Sequence, residues 1–415
     1  IDSSYLFKYI GYADKCTSIK TITNLNLLNV SNVTNMRGMF WMTGWRKMTK
    51  LDLGSNFDTS NVTNMVAMFR ETGRQAMTTL NLGSKFNTSK VTDMNYMFNQ
   101  AGYTKLTSLS LGTNFDTSNV ISMYNMFRGT GYTAMTTLNL GSKFNTSKVT
   151  NMSGMFAYTG YMAMTKLDLG SKFNTSKVTD MQYMFFGTGS KSMESLNLGD
   201  KFDTSKVTNM LSMFEGTGYT AMTSLNLGTN FDTSKVTKMT RMFKNCGYTK
   251  MASLDLKTKF NTSKVTNMSE MFASTGHELM TTLDLGANFD TSAVTDMSRM
   301  FEATGYKKMT TLKLREKFNT SKVTNMSNMF KETGFTAMTS LDLGNIFYTT
   351  SVTNTSGMFN NTGSTAMTIL DFGPAFDRIP NTNTDMFKNT GTTSLVVYAP
   401  ESIYSNVTAF IANRR

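Results

Sequence analysis

Apolar residues recur along the chain with a fixed period. The dipeptide Met-Phe begins at positions 39, 68, 97, 126, 155, 184, 213, 242, 271, 300, 329 and 358, each 29 residues after the last. A thirteenth copy, Met386-Phe387, follows after 28 residues. Such a period is typical of solenoids, because one repeat cannot bury its apolar face alone and neighbouring repeats must stack. The pattern replaces the two or three domains that the length of 415 residues alone suggests.

Each repeat opens with alternating apolar residues. In the repeat that starts at Met48, Leu51 and Leu53 alternate with polar residues, and Phe57 follows. This is the L-x-x-L-x-L spacing of a leucine-rich-repeat strand. The alternation places both leucines on one face and polar side chains on the other, so we predict one short strand per repeat.

The second half of the repeat has the spacing of a helix. Asp58-Thr59-Ser60 has the side chains of a turn, since each can bond to nearby backbone amides. Met65, Met68 and Phe69 lie at i, i+3 and i+4, which is one apolar face of a short helix. Gly73 is placed to end that helix, because glycine tolerates a positive φ there.

The predicted fold class is an α/β repeat solenoid, leucine-rich-repeat-like, of about 12–13 units of 29 residues. Each unit contains a short strand, a turn and a short helix. Residues 1–21 are predicted to be an N-terminal cap or partial repeat, 22–391 the solenoid and 392–415 a C-terminal cap. Within that cap, Leu395–Tyr398 is predicted to be a closing strand and Ser405–Ala412 a covering helix.

Composition excludes several classes of site. The chain has two cysteines and one histidine, His277, so a disulfide framework, a Cys-rich zinc site and a Ser-His-Asp triad are not expected. His277 falls in a column of aromatic residues that follow the repeat glycine, where a covering ring is expected. Met-x-x-Met pairs such as Met65/Met68 resemble soft-metal ligands, but their recurrence in every repeat favours core packing. We expect no cofactor, no metal and no catalysis.

Two further absences concern covalent bonds and membranes. Cys16 and Cys246 are about eight repeats apart, roughly 40 Å at strand spacing. That exceeds the ~7 Å between Cα atoms that a disulfide allows, so we expect no bond between them. No run of 18 apolar residues occurs, so no transmembrane segment is predicted.

The repeat phrases carry a resemblance. Leu-Asp-Leu at 51–53, Phe-Asp-Thr-Ser-Asn-Val-Thr-Asn-Met at 57–65 and Met-Phe at 68–69 resemble those of the BspA-like leucine-rich-repeat surface proteins. Repeat lipoproteins of mollicutes and surface proteins of Gram-positive bacteria are related to that group. The resemblance implies a protein at the bacterial cell surface or outside the cell, in many members an adhesin for host matrix proteins or other cells.

The first candidate site lies in the first full repeats. Both tryptophans, Trp41 and Trp45, lie beside Arg46 and Lys50. Tryptophan with arginine is the composition of a binding hot spot. The alternative is that the two rings cover the end of the core. Asp52 begins a polar Asp/Asn column on the strand face that either binds an extended partner or forms a solvated ladder without a ligand.

The second candidate site is a local break in the polar columns. Lys307, Lys308, Lys313 and Arg315 bring positive charge to one repeat where the others carry polar or small residues. We predict a charged contact there. In the two columns after the repeat methionine, Thr and Ser dominate, and we expect the two columns to point to opposite sides because they are adjacent in sequence.

Positive charge is also periodic, within a net charge of +13. The lysines predict two basic stripes on the turn side, either for anionic polymers such as teichoic acid, glycosaminoglycan or nucleic acid, or for solubility alone. Nucleic acid is the weakest of these partners, because no aromatic stacking platform accompanies the stripes. The two columns contain Lys90, Lys148, Lys177, Lys206, Lys235, Lys264 and Lys322, and Lys85, Lys143, Lys172, Lys201, Lys259 and Lys317.

These patterns favour a non-catalytic adhesin or interaction scaffold, extracellular or at the bacterial surface. Its expected partner is a host matrix protein, a glycan or another cell-surface polymer. The alternative is a structural subunit of a surface layer or extracellular filament. In that case self-association would use open strand edges.

Overall fold

Short strands recur where the Leu-x-Leu alternation predicts them. The computed structural model describes residues 1–12 and 19–412, and it forms two compact units, Ile1–Lys206 and Val207–Arg415. The strands of the N-terminal unit are β1 (Thr21–Ile22), β2 (Lys50–Asp52), β3 (Thr79–Asn81), β4 (Ser108–Ser110), β5 (Thr137–Asn139) and β6 (Ser195–Asn197). Those of the C-terminal unit are β7 (Ser224–Asn226), β8 (Thr282–Asp284), β9 (Thr311–Lys313), β10 (Ser340–Asp342), β11 (Ile369–Asp371) and β12 (Val396–Tyr398).

Equivalent repeat positions pair with one another. In the N-terminal unit, Leu51 of β2 faces Leu80 of β3 in a parallel register. In the C-terminal unit, β10, β11 and β12 form a parallel sheet in that order. A second parallel ladder of single bridges runs along the coils, for example Asn64 to Asp93. Each unit is therefore a parallel β-solenoid whose coils are 29 residues long.

The predicted helix in each repeat is wrong. Among the described residues the α-helical segment is α1 (Tyr404–Ala412), with short 3-10 turns at Leu25–Leu27 and Glu401–Ile403. The segment 65–73 is instead a run of turns. Its residues Ala67, Glu71 and Gly73 have φ of 55°, 56° and 55°. An α-helix needs φ near −60° throughout, so three left-handed residues within seven exclude it.

The same turns direct every second amide toward the neighbouring coil. The N–H of Ala67 donates to the carbonyl of Asn95 at 2.9 Å, and that of Phe69 to Met97 at 2.8 Å. The intervening N–H of Met68 bonds within its own coil, to Met65 at 3.1 Å. The backbone groups of this segment are thus satisfied by stacking rather than by a helix.

The repeat methionines, leucines, valines and phenylalanines form the core. Met65 and Met68 are fully buried, which fits the interpretation of the methionine pairs as core residues. Phenylalanine rings stack from coil to coil: centroids of Phe40 and Phe69 lie 5.6 Å apart, and those of Phe69 and Phe98 5.3 Å apart.

Two columns of buried threonine join the coils. The hydroxyl of Thr72 donates to the carbonyl of Phe40 in the preceding coil at 2.6 Å. In the other column, the Thr59 hydroxyl donates to the carbonyl of Asn87 and accepts from its N–H, both at 2.8 Å. A buried polar group is tolerated only when it is paired, and these hydroxyls are paired with backbone.

A column of aromatic rings follows the repeat glycine, as predicted. In the C-terminal unit Tyr219, Tyr248, His277, Tyr306 and Phe335 stack with centroid separations of 4.5, 4.3, 4.7 and 4.7 Å. His277 is therefore one ring of the stack, and its Nδ1 lies 2.8 Å from a carboxylate oxygen of the next residue. Burial lowers the pKa of His277, and that carboxylate partly offsets the shift.

The threonine columns after the repeat methionine differ from the prediction. Thr78 and Thr79 are both exposed, as are Thr136 and Thr137. The expectation that they point to opposite sides is wrong, because the strand begins only at the second of the two residues and strand alternation does not extend to the first.

A strand and a helix lie in the C-terminal segment where the sequence predicts them. Strand β12 and helix α1 follow one another, and Ile403 and Val407 between and within them are buried. At the other end, N–H groups of residues 3–9 donate to carbonyls of residues 35–41, in the manner of one coil on the next. Among the described residues no helix is both long enough and apolar enough to cross a bilayer.

One of the two cysteines lies among the described residues. Cys246 is buried in one of the threonine columns, in place of threonine, and burial raises the pKa of its thiol. Cys16 lies outside the described residues, so the absence of a Cys16–Cys246 disulfide stays a prediction.

We predict that the hydrogen bonds of the buried threonines stabilise the fold. Thr304→Val removes the 2.7 Å bond to the Phe272 carbonyl and should destabilise the C-terminal unit by about 1 kcal/mol. Cys246→Thr should stabilise it by a similar amount by restoring the bond that the other coils make. Urea unfolding followed by circular dichroism measures both. Thr310→Val is the control and should change stability little, because the Thr310 hydroxyl is exposed and its bond to the Thr281 carbonyl is long, at 3.3 Å. Equal losses for Thr304→Val and Thr310→Val would contradict this role.

We predict that His277 makes the stability of the fold depend on pH. The pKa of His277 in the folded protein is lowered from about 6.5, its value in the unfolded chain. The unfolded chain therefore binds the proton more tightly, and the free energy of unfolding decreases as pH falls from about 6.5 to the folded pKa. Replacing His277 by tyrosine, the usual residue of the column, should remove this dependence. Unfolding of wild type and His277→Tyr between pH 7.5 and 5 tests it. A stability difference that stays constant across this range would show that His277 does not titrate differently on folding.

Candidate binding sites

Trp41 lies in a cluster of rings and cations at the N-terminal end of the structure. Its ring centroid is 6.3 Å from that of Tyr5 and 6.4 Å from that of Tyr9. The Lys8 ammonium lies 4.1 Å from the Trp41 centroid, and the Arg70 guanidinium 4.7 Å from it. These contacts are cation–π in geometry. Trp41 is therefore already covered by residues of this chain.

Trp45 stands in the aromatic column that follows the repeat glycine. Its ring meets that of Tyr12 edge-on, with centroids 5.7 Å apart. Arg74 and Arg46 lie over it at 5.4 and 5.9 Å. The indole nitrogens of Trp41 and Trp45 are buried with no hydrogen-bond partner among the described residues. The surroundings of both rings support the alternative that they cover the end of the core.

Lys50 and Asp52 lie on β2, on the strand face. Their charged groups form an ion pair at 3.0 Å, and both are partly exposed. Asp52 also accepts from the N–H of Gly54 and from the amide of Asn81, each at 3.0 Å. The bond from Lys50, followed by the Gly54 amide, lowers the pKa of Asp52. Asp52 thus organises the turn that follows β2, as well as facing solvent.

Lys313 and Arg315 line a groove of about 770 Å³ in the C-terminal unit. Its walls come from three consecutive coils and include the exposed faces of β9 and β10. Hydroxyls, charged groups and leucine side chains all contribute. The lining residues are Ala287, Asn288, Thr310, Thr311, Leu312, Lys313, Leu314, Arg315, Glu316, Lys317, Ser340, Asp342, Leu343, Gly344, Asn345 and Ile346.

Arg315 replaces a glycine of the repeat and keeps the glycine conformation. Its φ is 70°, beside 79° and 80° at Gly286 and Gly344 of the adjacent coils. A Cβ at either of those glycines would meet nothing within 4 Å, so the column has room for a side chain here. The Arg315 guanidinium donates two hydrogen bonds to the carboxylate of Asp284 in the preceding coil, and the bond from Nε to Oδ1 is 2.7 Å long. Those bonds lower the pKa of Asp284.

The four residues of the predicted charged cluster do not all lie at one surface. Lys307 pairs with Glu278, next to His277 in the aromatic column, and this bond lowers the pKa of Glu278. Lys308 is exposed and does not line the groove. Lys313 and Arg315 alone of the four predicted residues meet at one surface.

The groove continues toward the last strand. A second hollow of about 330 Å³ shares Asp342 and Asn345 with the first and extends to Asp371, Pro374 and Tyr398. The Tyr398 side chain is 56% exposed, so its ring is available to a ligand. These residues were not predicted from the sequence. The one signal was that Tyr398 stands in register with Asp371, where the polar column ends in an aromatic ring.

The lysines of both stripes are exposed, as the sequence predicts. Some donate to asparagines of the preceding coil: Lys90 to Asn61 at 2.6 Å and Lys259 to Asn230 at 3.0 Å.

Comparison with known proteins identifies the family. Overlapping matches to the model of a family described as "Mycoplasma protein of unknown function, DUF285" extend from residues 10–135 to 277–394, through 74–194, 104–218, 130–250, 190–283 and 219–311. The chain belongs to the DUF285 family. No curated protein matches this DUF285 chain.

One solved structure resembles it, the "Crystal structure of TLR13-ssRNA13 complex". The match has 17% sequence identity and a TM-score of 0.29, and it covers 84% of this chain and 46% of that one. The DUF285 chain thus spans less than half of the solved chain. A TM-score of this size supports no conclusion about partners.

Proposed function

We propose that this DUF285 chain is a non-catalytic interaction scaffold, displayed on the bacterial surface or secreted, that binds an extended partner in the groove at Lys313 and Arg315. The proposal depends on one observation, that the groove and a break in the repeat lie at the same place. The groove lies where two charged residues replace the Asp/Asn and glycine of neighbouring coils. The resemblance to BspA-like leucine-rich-repeat proteins supports an adhesin.

The groove chemistry favours a glycan as partner. Thr310, Thr311 and Ser340 offer hydroxyls, while Lys313 and Asp342 offer a donor cation and an acceptor. Concave sites with a few convergent polar groups on an apolar floor are typical of ligand sites. A host matrix protein is the other partner that this scaffold would serve.

Repeat-restoring substitutions test the groove. Lys313→Asn with Arg315→Gly returns both positions to residues that other coils carry, so the fold should be kept while two lining charges are lost. We expect binding to immobilised glycans and matrix proteins to weaken at least about tenfold, the loss of about 1.4 kcal/mol.

Lys257→Gly is the matched control. Lys257 also replaces a repeat glycine, has a φ of 64° and pairs with Asp255, but it does not line the groove. Its binding should equal that of the wild type. If no glycan or matrix protein distinguishes the wild type from the double variant, the groove is not the binding site.

The structural-subunit alternative has its own support. In the C-terminal sheet no described strand pairs with the outer edge of β12, and Val396 is 51% exposed. Unpaired strand edges invite the addition of another strand.

Sedimentation velocity over a concentration series, with and without 0.5 M salt, separates the two functions. The scaffold should remain monomeric. Concentration-dependent growth that Val396→Lys abolishes would instead support a structural polymer, because a lysine on an edge strand opposes strand addition.

A further inference from the structure

Two rows of lysines run side by side along three coils of the N-terminal unit. One row is Lys143, Lys172 and Lys201, and the other is Lys148, Lys177 and Lys206. We call these six residues the lysine double row. All six are exposed, and each lies one repeat after the previous member of its row.

The turns that carry the double row are fixed to one another. The hydroxyl of Thr146 donates to the carbonyl of Asn174, and that of Thr175 to the carbonyl of Asp203, each at 2.8 Å. The N–H of Thr146 also donates to the carbonyl of Lys172 at 3.4 Å. Stacked coils lie about 4.8 Å apart, so the backbones of successive lysines in a row lie at about that spacing.

The fold does not need lysine at these positions. In the preceding coil the same two columns hold Asn114 and Asn119, whose amides donate to carbonyls of Ser84 and Ser89 at 2.8 Å. Lys201 makes the equivalent bond to Ser171 at 2.9 Å. A neutral side chain can therefore make the structural contact. Lys148 instead donates to the Asn119 side chain at 2.7 Å, and each lysine adds a positive charge that repels its neighbours.

No carboxylate of the described residues lies in an ion pair with the double row. The turn position between the two rows is Asn145 and Asn174 in the first two coils, and an acid, Asp203, only in the third. In the C-terminal unit the same columns are interrupted by Asn230, Asn288 and Ala293. Unpaired positive charge is thus most concentrated between 143 and 206.

The surface between the rows identifies the class of polyanion. Apart from Asp203, its half-buried residues are asparagines and serines such as Asn145 and Ser147, which suit sugar hydroxyls. The phenylalanines of these turns, Phe144, Phe173 and Phe202, are buried, so no ring is available to stack on a base. We propose that the lysine double row binds a linear acidic polysaccharide laid along the coils. This surface is separate from the groove at Lys313.

The test uses the full chain with a heparin-type sulfated glycosaminoglycan as probe. The variant replaces Lys143, Lys148, Lys172 and Lys177 by asparagine, the residue of the preceding coil. The control replaces Lys105, Lys166, Lys238 and Lys250, four exposed lysines outside the rows, with the same change of charge. Affinity is measured over a series of salt concentrations, and circular dichroism verifies that both variants are folded.

We expect the double-row variant to bind at least about tenfold more weakly, with a shallower dependence of log K on log salt, because fewer counterions are released. The control should bind like the wild type. Equal losses in both variants would overturn the proposal in favour of a net-charge effect. Tighter binding of single-stranded DNA than of the glycosaminoglycan would overturn the polysaccharide assignment. Loss of glycosaminoglycan binding with groove binding intact separates this surface from the proposed groove function.

Discussion

Hydrogen bonds between successive coils are the constraint on which the rest of the structure depends. Every second amide of the turn segment, as at Ala67 and Phe69, donates to the next coil rather than within its own. The buried threonines add side-chain bonds of 2.6–2.8 Å across the same boundary. These bonds are satisfied only if each coil repeats the backbone of its neighbour. The fixed repeat length then aligns each column of side chains, from the stacked phenylalanines to the exposed lysines.

The repeat period predicted much of this fold because residues at the same position of successive repeats are buried or exposed alike. The leucine alternation, the core columns and the aromatic column with His277 all follow from residues that recur at the same position. The helix prediction failed because Met65, Met68 and Phe69 have a spacing that also fits alternating turns. A signal for the turns was present. The columns of Ala67 and Glu71 contain Gly154 and Gly187, and other residues that tolerate positive φ, with no β-branched side chain.

The candidate site was harder to predict, because closeness in sequence is not closeness on a coil. Lys307 and Lys313 are six residues apart, yet one pairs beside the aromatic column and the other faces the groove from β9. Asp342 conforms to the repeat, so nothing in its column distinguished it. It lines the groove together with Lys313 and Arg315 of the adjacent coil. The sequence therefore indicated the residues that depart from the repeat, and not the ordinary residues that complete the surface with them.

Stacking geometry also decides where such departures are tolerated. A Cβ at Gly83 or Gly373 would lie 1.9 Å from the carbonyl oxygen of the preceding coil, whereas one at Gly286 or Gly344 would meet nothing within 4 Å. The repeat glycine is thus sterically required in some coils and only conformationally preferred in others. Arg315 stands between two coils of the open kind, so its cost is limited to a left-handed backbone of the order of 1–3 kcal/mol, and its side chain leaves the bonds between coils intact. A solenoid of this type can therefore acquire a binding surface at its open positions while its stacking interactions stay the same.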